Sequence, residues 1–186
     1  MKWWEKTVEY LFVSIYFDND LMLAPLDGNE ERLGDTILSK DNKWIVIEFK
    51  RNETCIDAEK SKFTSYEEAK DELGEEDSHH LLIYGKFEGR LILECKTYFS
   101  NQHKDIGDAL LSGLGIDSFI EYIKRFINFK KPPKDGGGGL SFEDYTLVAC
   151  VNSEGRLVSC MSLSEHISMF GGKGKQVHDK VMKAGN

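Results

Sequence analysis

The chain has 186 residues, 40% of them hydrophobic and 30% charged, and a formal net charge of −8. That length buries one good core as a single domain, and the acidic balance argues against a protein that coats nucleic acid nonspecifically, because phosphate contacts rest on Lys and Arg. The four cysteines include no Cys-x-x-Cys pair and read as reduced thiols; with neither an export signal nor a membrane-spanning apolar run in view, the expected compartment is the cytoplasm and no membrane partner is expected.

Trp4, Val8, Leu11, Phe12 and Ile15 recur at helical spacing and predict an N-terminal helix with an apolar stripe, which Glu5 borders while Glu9 lies farther round. From Asp18 to Arg32 the composition turns polar around Leu21-Met22-Leu23-Ala24-Pro25, a candidate edge strand ended by its proline. The segments Gly34 to Ser39 and Trp44 to Lys50 are β-prone, and the tetrad Lys40-Asp41-Asn42-Lys43 between them reads as a four-residue hairpin loop. With Ser39 facing Trp44 across the closing pair, Asp35 falls opposite Glu48, and Lys50 shares their face. After Arg51 a polar stretch leads to a helix near 65–73, with Ser65 as its cap, Glu68 as the capping-box partner and Gly74 as its stop.

His80 to Tyr84 suits a buried strand, and Arg90 to Phe99 reads as another across a turn at Glu88-Gly89. Ile106 to Phe129 carries apolar residues at helical spacing with an interruption near Gly113 and Gly115, which predicts two helices or one broken helix. Lys130-Lys131-Pro132-Pro133-Lys134-Asp135 and the four glycines after it form the clearest loop. Tyr145 to Val151 and Arg156 to Met161 flank Asn152-Ser153-Glu154-Gly155 as a further hairpin, and short helical segments at 163–170 and 175–184 finish the chain. The expected organisation is an α/β unit with trailing helices over 1–131, a Pro/Gly-rich loop over 132–140, and an extension over 141–186 that either packs on the same domain or forms a small subdomain.

Two carboxylates facing each other across a ladder stand with Cβ atoms ~5 Å apart and repel unless a cation lies between them. Mg²⁺ or Mn²⁺ takes oxygen ligands of this kind, and an adjacent ammonium would orient or deprotonate a water, so Asp35, Glu48 and Lys50 point to hydrolytic attack on a phosphodiester. The plain alternative is a solvated sheet face on which Lys50 serves as counter-ion. Glu94-Cys95-Lys96 repeats the Glu-x-Lys pattern but reads as a solvated strand end. Neighbouring His79 and His80 point to opposite faces of a strand, which opposes a shared metal, and Gly171-Gly172-Lys173-Gly174-Lys175 lacks the spacing of a phosphate-binding loop. Lys124, Arg125, Lys130, Lys131 and Lys134 form the densest positive cluster, which either holds a nucleic-acid backbone or complements a helix dipole.

The order helix, strand, strand with Asp, strand with Glu-x-Lys, helix, strand resembles the PD-(D/E)XK, or restriction-endonuclease-like, nuclease fold. The residues carrying that resemblance are Gly34-Asp35 and Ile47-Glu48-Phe49-Lys50-Arg51. Trp4-Glu5-Lys6-Thr7-Val8-Glu9-Tyr10-Leu11-Phe12 is similar to the aromatic-Glu-x-x-Val-x-x-Leu pattern of the Mrr-like and Holliday-junction-resolvase-like branches, so the span covered is roughly 3–84. The resemblance implies an α/β fold with a central mixed β-sheet flanked by helices and an α-β-β-β-α-β core, to which the C-terminal hairpin and short helices are additions. It implies Asp35, Glu48 and the Phe49 carbonyl as metal ligands, Lys50 as the residue that activates or positions a water, and Glu5 approaching from the helix. The expected activity is a Mg²⁺- or Mn²⁺-dependent DNA endonuclease of prokaryotic or phage character, acting in DNA processing or defence, with a homodimer expected because cutting two strands takes two sites. A reading from another class keeps the scaffold and drops the chemistry: a catalytically inactive nuclease-like protein that works as a binding, regulatory or inhibitor protein on a protein partner.

Overall fold

The computed structural model describes residues 3–16, 42–131 and 146–170. The strands are β1 Lys43–Lys50, β2 His80–Phe87, β3 Leu91–Thr97, β4 His103–Lys104, β5 Leu147–Val151 and β6 Leu157–Ser162. The helices are α1 Glu5–Tyr16, α2 Tyr66–Leu73, α3 Ile106–Leu111, α4 Ile116–Asn128 and α5 Leu163–Phe170, and a 3-10 helix spans Glu53–Lys62. The six strands form one mixed sheet in the order β4-β3-β2-β1-β5-β6, with helices against both faces.

β1 is central, and its sequence explains why. From Trp44 to Lys50 every residue is buried, as expected of a near-continuous apolar run covered on both faces. Trp44 and Val46 point into a core shared with Phe63, Tyr98, Phe119 and Phe126, while Ile45, Ile47 and Phe49 point into a second core with Val8 and Phe12 of α1 and Leu110 of α3. β1 runs parallel to β2, from Val46 beside His80 to Lys50 beside Tyr84, and the 3-10 helix and α2 supply the crossover that parallel strands require. Ser65 caps α2 by accepting from the Glu68 N–H at 3.4 Å, and the Gly74 N–H closes it on the Lys70 carbonyl at 2.8 Å.

The expected hairpin between 33–39 and 44–50 is not the pairing that β1 makes. Its antiparallel partner is β5, from Lys43 opposite Val151 to Ile47 opposite Leu147. Trp44 therefore faces Cys150 on one edge, and on the other it exchanges backbone hydrogen bonds of 2.7 and 3.0 Å with Leu114. A strand buried on both faces needs an equally apolar neighbour, and the fully buried Val148, Ala149, Cys150 and Val151 provide one. The Leu114 bridge depends on Gly113, where a Cβ would lie 2.7 Å from the Lys43 Cβ and 3.0 Å from the Trp44 carbonyl oxygen. The C-terminal hairpin thus enters the main sheet, with β5 inside and β6 at the edge.

Other differences are local. The stripe on α1 is narrower than its spacing predicts: Val8 and Phe12 are buried, whereas Trp4 is 77% and Ile15 56% exposed. The polar stretch after Arg51 is a ten-residue 3-10 helix. The expected strands at 21–25 and 33–39, Asp35, Lys134, the tetraglycine loop, the Gly171–Lys175 segment and the helix at 175–184 lie outside the described residues. Among the described residues no helix is long and apolar enough to cross a membrane.

Candidate active site

Two residues apart on β1, Glu48 and Lys50 share a sheet face near the C-terminal end of the strand. Both are buried, at 3% and 5% exposure, so each ion must find partners inside the protein. Three oxygens surround the Lys50 Nζ: the Phe49 carbonyl at 2.8 Å, Glu59 Oε1 at 2.9 Å and Glu48 Oε2 at 3.4 Å. Glu48 Oε1 accepts a 2.6 Å hydrogen bond from the Thr146 hydroxyl. One register step beyond the Ile47–Leu147 pair, Thr146 stands in the place across from Glu48 that the expected hairpin assigned to Asp35.

Glu59 comes from the 3-10 helix. Its Oε1 also receives Lys62 Nζ at 2.7 Å, and its Oε2 accepts from the Tyr98 hydroxyl at 2.9 Å and lies 3.9 Å from Lys130 Nζ. Lys130 in turn donates to the Tyr98 hydroxyl at 3.0 Å and sits over three rings, with centroids at 4.0 Å for Phe63, 4.6 Å for Phe126 and 5.4 Å for Tyr98. The result is a chain of alternating charge, Glu48, Lys50, Glu59 and Lys130, inside the core, with the half-exposed Lys62 at its rim.

The charges set one another's protonation. Burial works to raise the Glu59 pKa, but Lys50, Lys62 and Lys130 together bring it down to about 2. Burial works to lower that of Lys50, yet Glu48 and Glu59 push it above the ordinary lysine range. At Lys130 burial prevails over Glu48 and Glu59 and lowers the pKa to about 8. Although Glu5 is an exposed residue, partial desolvation raises its carboxyl above the usual range against the pull of Lys50, with Glu48, Lys62 and Glu59 also felt there. The N-terminal turn of α1 therefore lies within electrostatic reach of the β1 pair.

Two carboxylates and a carbonyl around one cation make an oxygen-only donor set, the chemistry that hard divalent ions take. The centre of that set is occupied by the Lys50 ammonium, and among the described residues no three His, Cys, Asp or Glu side chains gather into a metal-holding group. The donor types fit Mg²⁺ or Mn²⁺; Asp35, the other carboxylate of the expected ligand set beside Glu48, lies outside the described residues.

The basic cluster read from the sequence is divided in space. Lys130 is buried in its aromatic cage rather than displayed to a nucleic acid, because Phe63, Tyr98 and Phe126 close around it. Arg125 pairs with Glu76, Lys124 is exposed on α4, and Lys131 donates to the Ser61 carbonyl at 2.8 Å near Lys62. Glu94 pairs with Lys86 on the neighbouring strand and Lys96 with Glu53 at the start of the 3-10 helix, so the second Glu-x-Lys is held in ordinary ion pairs. His79 and His80 are both buried, and His80 Nδ1 shares a 2.8 Å hydrogen bond with the Tyr122 hydroxyl. Burial depresses both imidazoles, that of His79 to about 4, so they are neutral core residues at physiological pH.

Sequence reasoning missed Glu59, Tyr98 and Thr146, and read Lys130 as part of a displayed positive cluster rather than as a member of the buried charge chain. Glu59 lies in a polar run without periodicity, and Lys130 precedes a diprolyl pair that reads as loop. The usable signal was Thr146 directly ahead of an apolar run that had to pair with something. No protein-family model matches the chain, and neither a curated protein nor a solved structure matches it.

Proposed function

We propose that the chain is a Mg²⁺- or Mn²⁺-dependent DNA endonuclease with a restriction-endonuclease-like core, hydrolysing phosphodiester bonds in DNA processing or defence. The observation that carries this reading is the burial of the Glu-x-Lys pair. A pair that merely decorated a sheet face would be solvated, whereas Glu48 and Lys50 are 3% and 5% exposed, on the strand that crosses over to a parallel neighbour. Removing each ion from water costs several kcal/mol after relaxation, a penalty that an apolar pair would avoid and a reacting site explains. Glu5 adds support, since the resemblance expects a glutamate to approach from the first helix and the Glu48 and Lys50 charges are felt at its carboxyl.

Glu48, the Phe49 carbonyl and Asp35 would hold the ion, which when bound polarises a phosphoryl oxygen and acidifies a coordinated water. Thr146 fixes the Glu48 carboxylate through Oε1. Lys50, held protonated by two carboxylates, acts as a donor that positions water or steadies phosphoryl charge rather than as a base. Lys62 and Lys131 adjoin one another at the rim, where the Lys131 N–H meets the Lys62 carbonyl at 3.0 Å, and they offer cations for the DNA backbone despite the net charge of −8. Double-strand cutting would bring two copies together.

The test uses purified protein with plasmid and single-stranded DNA plus Mg²⁺ or Mn²⁺, beside Glu48→Ala and Lys50→Ala. Cleavage by the parent and its loss in both variants is the expected outcome; cleavage that survives both refutes the assignment. A second reading, an inactive nuclease-like scaffold that binds a protein partner, is favoured by one observation: the buried carboxylates and ammonium groups already compensate one another. Calorimetric titration separates the two, because a scaffold of that kind binds neither Mg²⁺ nor Mn²⁺ and cuts nothing.

A further inference from the structure

We infer that Glu59 is a positioning residue of this site, setting the place of the Lys50 ammonium beside Glu48; the inference rests on the nuclease reading of that pair. The first observation is what anchors the 3-10 helix. Most of this ten-residue element is polar; Ile56 rests half-buried on the core, and Glu59 is the one residue that is fully buried. Runs of 3-10 helix beyond three or four residues are uncommon because their hydrogen bonds are poorer, so this one needs a tertiary anchor. An apolar anchor would carry no desolvation penalty and commonly stabilises more than a buried ion pair does. A carboxylate in that position is explained by what it touches.

The second observation is its geometry. Of the three oxygens at Lys50 Nζ, the Phe49 carbonyl belongs to the preceding residue and Glu48 Oε2 is 3.4 Å away. Glu59 Oε1, at 2.9 Å, is the close contact from outside β1. Its other oxygen is tied to the Tyr98 hydroxyl at 2.9 Å, with Lys130 at 3.9 Å, so the carboxylate cannot rotate away without breaking a buried hydrogen bond. Lys62, which shares Oε1 at 2.7 Å and reaches solvent, closes the seat from outside. Without the Glu59 charge, Lys50 keeps one backbone carbonyl and one long contact, and its Nζ is free to swing from Glu48.

Two measurements test this. In the cleavage assay, Glu59→Gln is expected to lower kcat about a hundredfold with KM unchanged, the size of effect that misplacing a reacting group produces. The other measurement needs no activity: acylation of lysine amines at pH 8, read by mass spectrometry, should rise severalfold at Lys50 in Glu59→Gln while the exposed Lys124 is unchanged. Glu59→Asp, which retains the charge on a shorter arm, should be intermediate in both, and it carries the comparison if Glu59→Gln does not fold. Unchanged cleavage by Glu59→Gln, or unchanged Lys50 labelling in a variant that melts like the parent, overturns the inference. A parent protein that cuts no DNA removes the nuclease reading instead, and the labelling result then decides alone whether Glu59 seats Lys50.

Discussion

Replacing Lys130 by Met takes a charge out of an aromatic cage while keeping an unbranched, adaptable side chain in the same space. In the folded protein burial lowers the Lys130 pKa from 10.5 to about 8, even with Glu48 and Glu59 opposing it. That displacement corresponds to a penalty of about 3 kcal/mol for keeping the amine charged at neutral pH. Against it, a desolvated cation over aromatic rings gains ~2 kcal/mol, and the hydrogen bond to Tyr98 contributes ~1 kcal/mol. The two sides nearly cancel, so Lys130→Met is expected to lie within about 1 kcal/mol of the parent at pH 7, a modest change for a fully enclosed lysine. The pH dependence is the sharper signature. Below pH about 8 both folded and unfolded chains hold the proton and the full penalty applies. Between about 8 and 10.5 the unfolded chain binds a proton that the folded one has released, so parent stability rises with pH. The variant lacks this gain, and the parent should improve on it by about 3 kcal/mol across the window. Urea unfolding followed by tryptophan fluorescence at steps from neutral to alkaline pH measures the difference. A gap that stays constant, or moves in the variant's favour as the pH climbs, would refute the reasoning.

Ser65→Ala removes the acceptor for the Glu68 N–H at the start of α2 and should lower stability by about 1 kcal/mol in urea without changing the m-value. Thr146→Val keeps the shape opposite Glu48 but deletes the hydroxyl on Oε1; stability should fall by about 1–3 kcal/mol as a buried carboxylate loses a donor. In the cleavage assay the same variant should lose kcat more than KM, and a Thr146→Val protein that matches the parent in both assays would exclude a role for that contact.

Elements governed by local chemistry were readable from the chain. The Ser65 cap, the Gly74 stop, the interruption between α3 and α4 near Gly113, and the β5–β6 hairpin around Gly155 each follow from residues close in sequence. Partner choice in the sheet was not readable. β1 offers two edges, and a polar tetrad before it suggested the nearest strand as neighbour; the apolar demand of a doubly buried strand is met instead by β5, far downstream. The candidate site divides the same way. Glu48 and Lys50 were legible because alternation on a strand fixes which side chains share a face, and both do lie on one face. Glu59 and Lys130 were not, since a lone glutamate in a polar run and a lysine ahead of two prolines look like solvent-facing residues. Only three-dimensional closure of Phe63, Tyr98 and Phe126 turns them inward.

The contact between Thr146 and Glu48 joins positions 98 residues apart. At a synthesis rate of ~5–20 residues per second, β1 emerges from the ribosome roughly 5–20 s before the strand that covers its second edge. Throughout that interval a largely apolar strand presents open backbone groups, the condition under which nascent chains stick to one another or call on chaperones. Long-range pairing of this kind also slows folding in isolation, because loop closure must be met before the contact forms. The Thr146 contact on Glu48 is therefore among the last to assemble, and the buried charge chain is closed only once nearly all of the described sheet has been made.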